Sequence, residues 1–497
     1  MRVLVSLLVG AILVAPCATR TADAQGLTGQ ISGTVVDPSR GVLPGAAVSV
    51  QNVDTQMKRE AVTDENGAFV ITDLLAGTYD LNVSLSGFKT YQQKAVVLSA
   101  NERLALRTIV LEVGQLEEMI AVTAEAARVQ TRSGERSGLI TQDQLKDISL
   151  KGRDYMGMLR LLPGVVDTQN REAPGWNNLG GLSINGGRNN TINLTYDGVT
   201  NLDTGSNTGP FLAPGLDSIA EIKVLTSNYQ AEYGRSSGGT INVITKSGTR
   251  TFRGGGFYSK RDDALNANEW QNNRLQRPKP PYEFDYSGYH LGGPILLPFE
   301  GARNKLFFFW NQEFLPRTNP GSLQRRTMPT ERERRGDFSQ SIGTNGQLLV
   351  VRDPRTGQPF PGNIIPADRI DPNGQALLNL LPLPNFDDPT RQANYTFQSS
   401  FEQPRNDQVL RVDWNVAQKT LFYSRLNFGY EAFKGGWGFV LNNANWPQLP
   451  IAYEINSYGI VNTLLHTFNP TTVLEVTVGL NHGKQTVEPL TPADLDR

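Results

Sequence analysis

Residues 234–238 read Gly-Arg-Ser-Ser-Gly and match the G-x-S-x-G pattern that places a serine nucleophile, here Ser236, in many hydrolases. That chemistry needs a strand before the serine, a helix after it and a histidine that acts as the base. The residues after Gly239 are instead Thr-Ile-Asn-Val-Ile-Thr, which start a helix poorly and favour a strand. The pattern therefore predicts a structural role for Ser236, and a secreted esterase is an alternative that a Ser236→Ala variant would test.

Other residue types that carry chemistry are scarce. The three histidines, His290, His466 and His482, have neither H-x-x-E nor H-E-x-x-H spacing, and the one cysteine is Cys17. Residues 245–247, Thr-Lys-Ser, lack the glycine that precedes the lysine in a phosphate-binding loop. A net charge of −1 offers no basic footprint for nucleic acid. We therefore expect no enzyme, no cofactor, no metal site and no nucleic-acid partner.

The N-terminus has the features of a secretory signal. Arg2 precedes an apolar run from Val3 to about Ala15, and small residues end at Ala24. The run fits the ~7–15 residues of a signal sequence and is too short for the ~20 residues of a spanning helix. We predict a signal peptide at residues 1–24, cleaved after Ala24.

Residues 25–113 are predicted to form a β-sandwich. Short apolar runs are separated by turn residues such as Asp37–Gly41 and Glu65-Asn66-Gly67, which is the pattern of an all-β domain. These residues resemble the carboxypeptidase-regulatory-like, transthyretin-type domain, which has a carbohydrate binding-like fold. In that family the domain is non-catalytic. Residues 114–125 are predicted to be a linker.

Residues 126–250 are predicted to be a compact α/β unit. Thr141 and Gln144 form a capping-box pattern that opens a short helix. A second helix is expected from four apolar residues at i, i+3, i+4 and i+7, ended by Pro163-Gly164: Tyr155, Met158, Leu159 and Leu162. Two strands are expected around a tight turn at Asn185-Gly186-Gly187, with further strands at Ile219–Leu225 and Thr240–Thr245.

Residues 251–497 are predicted to contain about seven strands in which apolar and polar side chains alternate. The alternation is inverted relative to a soluble sandwich, because charged side chains would occupy the inner face. Leu410, Val412 and Trp414 alternate with Arg411 and Asp413. The same alternation of apolar and polar or charged residues recurs in 421–430 and 472–480. Charged residues on an inner face suit a barrel with lipid outside and a polar interior.

Connection lengths give a second indication of a membrane barrel. We place strands near 252–260, 284–296, 304–315, 406–416, 420–430, 454–467 and 471–483. The gaps between them are then about 23, 7, 90, 3, 23 and 3 residues, so that long and short connections alternate. Outer-membrane barrels have this parity, with long outer loops and short periplasmic turns.

These segments, in their order, carry a family resemblance. Residues 231–258, AEYGRSSGGTINVITKSGTRTFRGGGFY, resemble the end of the plug domain of TonB-dependent outer-membrane receptors. LRLLPGVV (159–166) and LDSIAEIKV (216–224) resemble other plug segments, and KLFFFWNQEF (305–314) and DQVLRVDWN (407–415) resemble barrel strands of the Oar-like subgroup. That subgroup carries the regulatory-like sandwich at its N-terminus.

The resemblance implies an energy-coupled receptor in the outer membrane, in contact with outer-membrane lipid, with its sandwich and plug on the periplasmic side. TonB, with its inner-membrane energising complex, would pull on a short extended segment before the plug. The residues that fit this TonB box are Glu118, Met119, Ile120, Ala121, Val122 and Thr123. Such a segment binds by adding a strand to its partner, so main-chain hydrogen bonds give most of the affinity.

The sequence does not identify the ligand, and a glycan and a metal chelate are the two ligand classes that we propose. Polar residues and exposed tryptophans suit glycans through hydrogen bonds and stacking. The candidates of these types are Asn185, Arg188, Asn189, Asn190, Trp437 and Trp446, and the 203–207 loop is a further candidate.

Two questions stay open at the level of sequence. A surface binding or adhesion protein that transports nothing has the same strands, and a working TonB box would separate it from a transporter.

About seven strands are also fewer than the ~22 of a plugged transporter barrel. We therefore expect the 497 residues to be the front part of a longer protein or a truncated product.

Overall fold

The computed structural model describes residues 28–114, 119–123, 134–176, 179–230, 233–234, 236–296, 305–320, 323–398, 400–435, 450–469 and 472–490. The fold is mainly β, as predicted, and has three parts: a β-sandwich, an α/β unit and a large antiparallel sheet. The predicted signal peptide, Glu118, Trp437 and Trp446 lie outside the described residues.

The N-terminal sandwich packs two sheets around one apolar core. Its strands are β1 Gly29–Val36, β2 Ala47–Asn52, β3 Lys58–Val62, β4 Ala68–Leu74, β5 Gly77–Ser84, β6 Thr90–Leu98, β7 Arg103–Ala105, β8 Ile109–Val110 and β9 Met119–Thr123. One sheet has the order β4-β1-β7, with β8 also on β1, and the other has the order β3-β2-β5-β6-β9. Alternate residues such as Val48, Val50, Leu81 and Val83 fill the core, because successive side chains of a strand point to opposite faces.

The α/β unit follows the sandwich. Its elements are β10 Arg136–Ile140, α1 Gln142–Asp147, β11 Val165–Asp167, β12 Leu182–Ile184, β13 Asn193–Tyr196, β14 Val199–Thr200, β15 Ile219–Ser227 and β16 Thr240–Thr245, with 3-10 turns at Lys151–Arg153, Tyr155–Leu161, Asn189–Thr191 and Leu216–Ser218. The main sheet has the order β10-β15-β16-β13-β14. The predicted capping box of α1 is confirmed, because the Thr141 hydroxyl accepts from Gln144 N and the Gln144 side chain accepts from Thr141 N.

Two local predictions for this unit were wrong. Residues 155–161 form a 3-10 helix rather than an α-helix, although Tyr155, Met158 and Leu159 are buried as expected. The strands on either side of Asn185 do not form a hairpin. β12 pairs with β11, whereas β13 lies parallel to β16, because all four residues of β13 are buried in the centre of the unit.

The large sheet confirms the seven predicted strands: β17 Arg253–Asp262, β18 Glu283–Pro294, β19 Leu306–Leu315, β24 Arg405–Ala417, β25 Thr420–Gly435, β26 Ile451–Asn469 and β27 Thr472–Pro489. Two short strands from the long connection after β19 also join it, β20 Arg317–Pro320 and β23 Ser400–Glu402. The remaining elements lie in the connections: α2 Trp270–Arg274, β21 Gln324–Arg326, α3 Glu331–Arg334, α4 Pro372–Leu380 and β22 Tyr395–Phe397.

The inverted alternation is also confirmed. On β25, Tyr423, Arg425 and Asn427 are buried, whereas Phe428 on the opposite face is 53% exposed. On β27, Val478 is 65% exposed, with Leu474, Val476 and Leu480 on the same face. The buried inner face packs against the α/β unit, and the outer face is apolar and uncovered, as a lipid-facing surface is.

The two ends of the sheet differ. Short connections join β24 to β25 and β26 to β27, and we call this the turn end. Residues 263–282, 316–404 and 436–450 make the long connections at the opposite end, which we call the loop end. Within the described residues, no helix is long and apolar enough to cross a membrane.

Candidate functional site

The α/β unit contacts the large sheet through a group of buried polar residues, the buried charge cluster: Tyr196, Asp197, Thr245, Arg411, Asp413, Tyr423 and Arg425. Arg425 of β25 has no exposed surface. Its guanidinium carbon lies 3.7 Å from the centre of the Tyr196 ring, and its Nη1 lies 3.5 Å from Asp197 Oδ2. No hydrogen bond of this guanidinium is found among the described residues. The Tyr196 ring and the Asp197 charge therefore provide its main stabilisation.

The cluster continues through Thr245 into strand β24. Asp197 accepts hydrogen bonds from Thr245 N at 2.8 Å and from Thr245 Oγ1 at 2.7 Å. Arg411 Nη1 donates to Thr245 O at 3.1 Å, and its Nη2 pairs with Asp413 at 2.7 Å. Strands β13 and β16 of the α/β unit are thus joined to β24 and β25 by charge-assisted contacts. Burial raises the pKa of Tyr196, which keeps this phenol neutral.

Further contacts lie nearer the loop end. The Glu431 carboxylate accepts from Trp176 N at 2.8 Å and from Gln403 Nε2 at 2.6 Å. The Trp176 ring packs edge-on against Tyr453 at 5.8 Å. Arg405 donates to the carbonyl oxygen of Ala213 and pairs with Asp407. The α/β unit is therefore held along several strands, which is what a domain that closes a barrel requires.

Two adjoining clefts open at the loop end between the α/β unit and the sheet. One has a volume of about 490 Å³ and the other about 300 Å³, and both are lined by Glu172, Arg317 and Phe401. The larger is also lined by Lys151, Arg261 and Tyr282. We call the two clefts together the loop-end cleft, and these six residues are its main lining.

The loop-end cleft has the chemistry of a binding site. Lys151 Nζ lies 2.6 Å from Glu172 Oε1, and Arg261 Nη2 donates to Glu172 O at 2.9 Å. The Tyr282 hydroxyl is buried and has no hydrogen-bond partner among the described residues. Charged groups held by neighbours, beside an aromatic ring, can bind a polar ligand.

The polar residues predicted to bind ligand lie elsewhere. Asn185 has a φ of 50°, and its Nδ2 donates to Thr226 O at 3.0 Å. Asn189 Oδ1 accepts from Asn190 N, and Asn190 O accepts from Asn207 Nδ2, so the structure brings together the two predicted plug loops. Neither they nor Arg188 line the loop-end cleft. The cleft residues were missed because they are spread over residues 151–401 and share no motif.

Ser236 fixes the backbone where β16 begins. Its hydroxyl contacts the carbonyl oxygen of Thr191 and lies 2.6 Å from Gly239 O. Strand β16 follows, rather than the helix that a nucleophile elbow needs. Gly239 has a φ of 114°, and a Cβ there would lie 2.8 Å from Leu225 O, so only glycine fits.

Substitution of Ser236 by alanine is expected to destabilise the α/β unit by about 1 kcal/mol, since partly buried hydrogen bonds are lost. Urea denaturation of the purified chain measures this loss, with Ser237→Ala, an exposed neighbour, as the matched control. If the substitution removed a hydrolytic activity and left stability unchanged, the structural role would be contradicted.

The sandwich docks on the turn end. Met57, Leu75 and Ala76 of the sandwich pack on a buried cluster that combines Ile244 of the α/β unit with Leu421, Tyr423, Val461 and Leu465 of the large sheet. Glu221 accepts from Ala100 N at 2.5 Å, Lys223 Nζ donates to Asn101 O at 3.0 Å, and Thr467 Oγ1 donates to Asp73 Oδ2 at 2.8 Å. We call this surface the docking interface. Burial lowers the pKa of Arg59 and raises the pKa of Asp73, because both charges are partly desolvated there.

The predicted TonB box is a strand of the sandwich. Its residues Met119–Thr123 form β9, which runs parallel to β6 with Thr90 opposite Met119 and Lys94 opposite Thr123. The segment is thus extended, as predicted, and pairs with the edge of a sheet.

Across the described ranges, no group of three or more metal-ligating side chains is found.

Comparisons with known proteins agree with this architecture. A family model described as an outer membrane beta barrel domain matches residues 244–495, just over half of the chain. Models of a carboxypeptidase regulatory-like domain and of a TonB-dependent receptor plug domain match residues 30–112 and 130–241.

Individual proteins are also similar. The TonB-dependent transporter Oar of Myxococcus xanthus is 27% identical over 300 residues, which are 56% of this chain and 26% of that protein. The chain therefore spans about a quarter of the length of this relative. Among solved structures, the outer membrane transporter YddB of Escherichia coli is 12% identical, with a TM-score of 0.43, over 71% of this chain and 39% of that one. A variant of the ferric enterobactin receptor PfeA of Pseudomonas aeruginosa is 11% identical, with a TM-score of 0.32, over 69% and 44%.

The α/β unit is accordingly a plug, and the large sheet is barrel wall that lies in the outer membrane. The chain belongs to the TonB-dependent receptors of the outer membrane, in the Oar type that carries a carboxypeptidase regulatory-like domain ahead of its plug.

Proposed function

We propose that the protein is a receptor and transporter that binds a ligand at the loop-end cleft, outside the cell, and admits it when TonB pulls on Met119–Thr123. It performs no covalent chemistry and needs no cofactor. The observation that supports the proposal is the extended segment β9, which precedes the plug in the sequence and is the last strand of a sandwich sheet. An extended segment of this kind can bind a partner strand through main-chain hydrogen bonds. A glycan and a metal chelate stay the proposed ligand chemistries.

A proline in this segment tests the coupling. Ile120→Pro removes a main-chain donor and fixes φ, so binding of the purified periplasmic domain of TonB to the full chain should fall at least tenfold. The matched control is Val129→Pro, which lies between the segment and the first plug strand and should bind TonB normally. Equal TonB binding by Ile120→Pro and the unchanged protein would refute the assignment. Absence of TonB binding by the unchanged protein would favour the adhesion alternative.

The orientation of the chain is tested by labelling cysteine variants in intact cells. Asn266→Cys lies in the long connection after β17, so a maleimide that cannot cross the outer membrane should label it in intact cells. Lys58→Cys lies on the sandwich and should be labelled only after the outer membrane is permeabilised. The reverse pattern would place the sandwich outside the cell and would contradict TonB coupling through β9.

The division into a signal peptide at 1–24, a sandwich at 25–113, a linker at 114–125, a plug at 126–250 and barrel strands at 251–497 stays our proposed domain map. Mass spectrometry of the mature N-terminus tests its first boundary, which we expect after Ala24.

A further inference from the structure

We propose that the sandwich is a clamp that holds the plug against the barrel wall, and that the clamp opens on its plug side when the start of the plug is pulled. The sandwich thereby has a function of its own, which is to keep the plug closed until force arrives. The opening step rests on the proposed function, whereas the contacts that form the clamp do not depend on it.

The first part of the docking interface joins the sandwich to the plug. The loop at residues 99–102, which follows β6, lies against plug strand β15. Glu221 of β15 accepts from Ala100 N at 2.5 Å, and Lys223 Nζ donates to Asn101 O at 3.0 Å. We call these two hydrogen bonds the plug contact.

The second part of the docking interface joins the sandwich to the barrel wall. Thr467 Oγ1 of β26 donates to Asp73 Oδ2 at 2.8 Å, and Arg59 donates to the carbonyl oxygen of Gln418 in the turn before β25. Apolar side chains of the sandwich pack on the buried cluster that contains Leu421. We call these interactions the wall contact.

The two contacts belong to one packed body. Leu74 adjoins Asp73, Leu98 lies two residues before Ala100, and both leucines are buried in the apolar core of the sandwich. A close-packed core transmits displacement rather than absorbing it. The plug therefore cannot move relative to the wall until either the plug contact or the wall contact breaks.

A buried ion pair makes the plug contact the one that opens. Lys223 Nζ lies 3.0 Å from Glu135 Oε1, and the two side chains are only 8% and 5% exposed. Glu135 immediately precedes β10, so it is the first ion-paired residue in the described part of the plug that tension from Met119–Thr123 reaches. Removing one partner of a buried pair is strongly destabilising, because the other charge stays buried. When Glu135 is drawn away, Lys223 turns to water and gives up Asn101 O.

The loss of this carboxylate can be reproduced without TonB in a Glu135→Gln variant of the full chain in detergent. The Ala100 amide donates across the plug contact to Glu221, so its hydrogen exchange reports whether that contact is closed. We expect this amide to exchange at least about tenfold faster, while the β16 amides in the plug core keep their protection. The matched control is Asp167→Asn, which removes the acidic partner of another buried pair of the plug, with Arg171, and should leave the Ala100 amide unchanged.

A reversible cross-link tests whether the wall contact stays closed. The side chains of Asp73 and Thr467 are hydrogen-bonded, so a short reducible bis-methanethiosulfonate should join the cysteines of an Asp73→Cys/Thr467→Cys variant. The pair should be joined equally well when Glu135→Gln is added. In the matched control, Asp73→Cys/Thr463→Cys, the second cysteine lies four residues, about 13 Å, further along β26 and should not be joined. Cys17 is changed to alanine in all these variants.

Three outcomes would overturn the clamp. The first is an Ala100 amide that exchanges in Glu135→Gln as slowly as in the unchanged protein. The second is an equal acceleration of the Ala100 and β16 amides, which would mean that the ion pair only stabilises the plug. The third is that the Asp73→Cys/Thr467→Cys pair is joined no better than its control, or is no longer joined once Glu135→Gln is added.

These measurements contain no TonB, so they can fail while the proposed function stands. Conversely, equal TonB binding by Ile120→Pro and the unchanged protein would refute the pull on Met119–Thr123, and with it the opening step.

Discussion

Replacing Arg425 with methionine is expected to weaken the contact between plug and barrel wall by about 3–5 kcal/mol, the cost of removing one partner of a buried ion pair. Asp197 would keep its hydrogen bonds from Thr245. It would lose Arg425, its only ion-pair partner among the described residues. The Tyr196 ring would also lose its cation. Hydrogen exchange of the β16 amides in the detergent-solubilised chain measures the change, and it should accelerate by a factor of roughly a hundred to several thousand.

Two further variants separate charge from shape. Arg425→Lys keeps the charge but loses the planar group that stacks on Tyr196, so it should restore only part of the protection. Arg425→Met combined with Asp197→Asn removes both charges and should recover much of the stability, because no unpaired carboxylate is left buried. If Arg425→Met alone left the β16 amides as protected as in the unchanged protein, the buried charge cluster would not hold the plug.

The second large effect concerns the outer face of the sheet. Leu426 lies on that face, between the inward-pointing Arg425 and Asn427, and we expect Leu426→Arg to destabilise the protein in the membrane by about 2–4 kcal/mol. Assembly into lipid vesicles from urea, followed by heat-modifiable migration on gels, measures the effect. Leu377→Arg is the matched control, because Leu377 is 67% exposed on α4 in a long connection and the same change there should cost almost nothing. Equal effects of the two changes would show that this face does not contact lipid.

The strands of the wall were predictable because their signal is local. In β24 and β25, alternation with a period of two places arginine and aspartate on one face and leucine and phenylalanine on the other, and no partner strand is needed to see it. The alternation of long and short connections is equally local. The capping box at Thr141 was predictable for the same reason, since it needs only four residues.

The remaining features depend on contacts between distant residues. The parallel pairing of β6 with β9 joins two five-residue stretches with no pattern that selects one for the other. The hairpin predicted at Asn185 did not form, because β13 pairs in parallel with β16, the central strand of the plug sheet. The loop-end cleft combines plug residue Glu172 with Arg317 and Phe401, which are brought to it by β20 and β23, two short strands inside a long connection.

The most direct measurement of the central claim is photo-cross-linking from position 121 in living cells. A photoreactive amino acid replaces Ala121 in the full chain, and cross-linked partners are identified in outer-membrane preparations. The account predicts a cross-link to TonB that is lost when Ile120→Pro is added and is absent from cells without TonB. A cross-link pattern that is the same with and without TonB, in a chain that is inserted in the outer membrane, would contradict energy coupling through this segment.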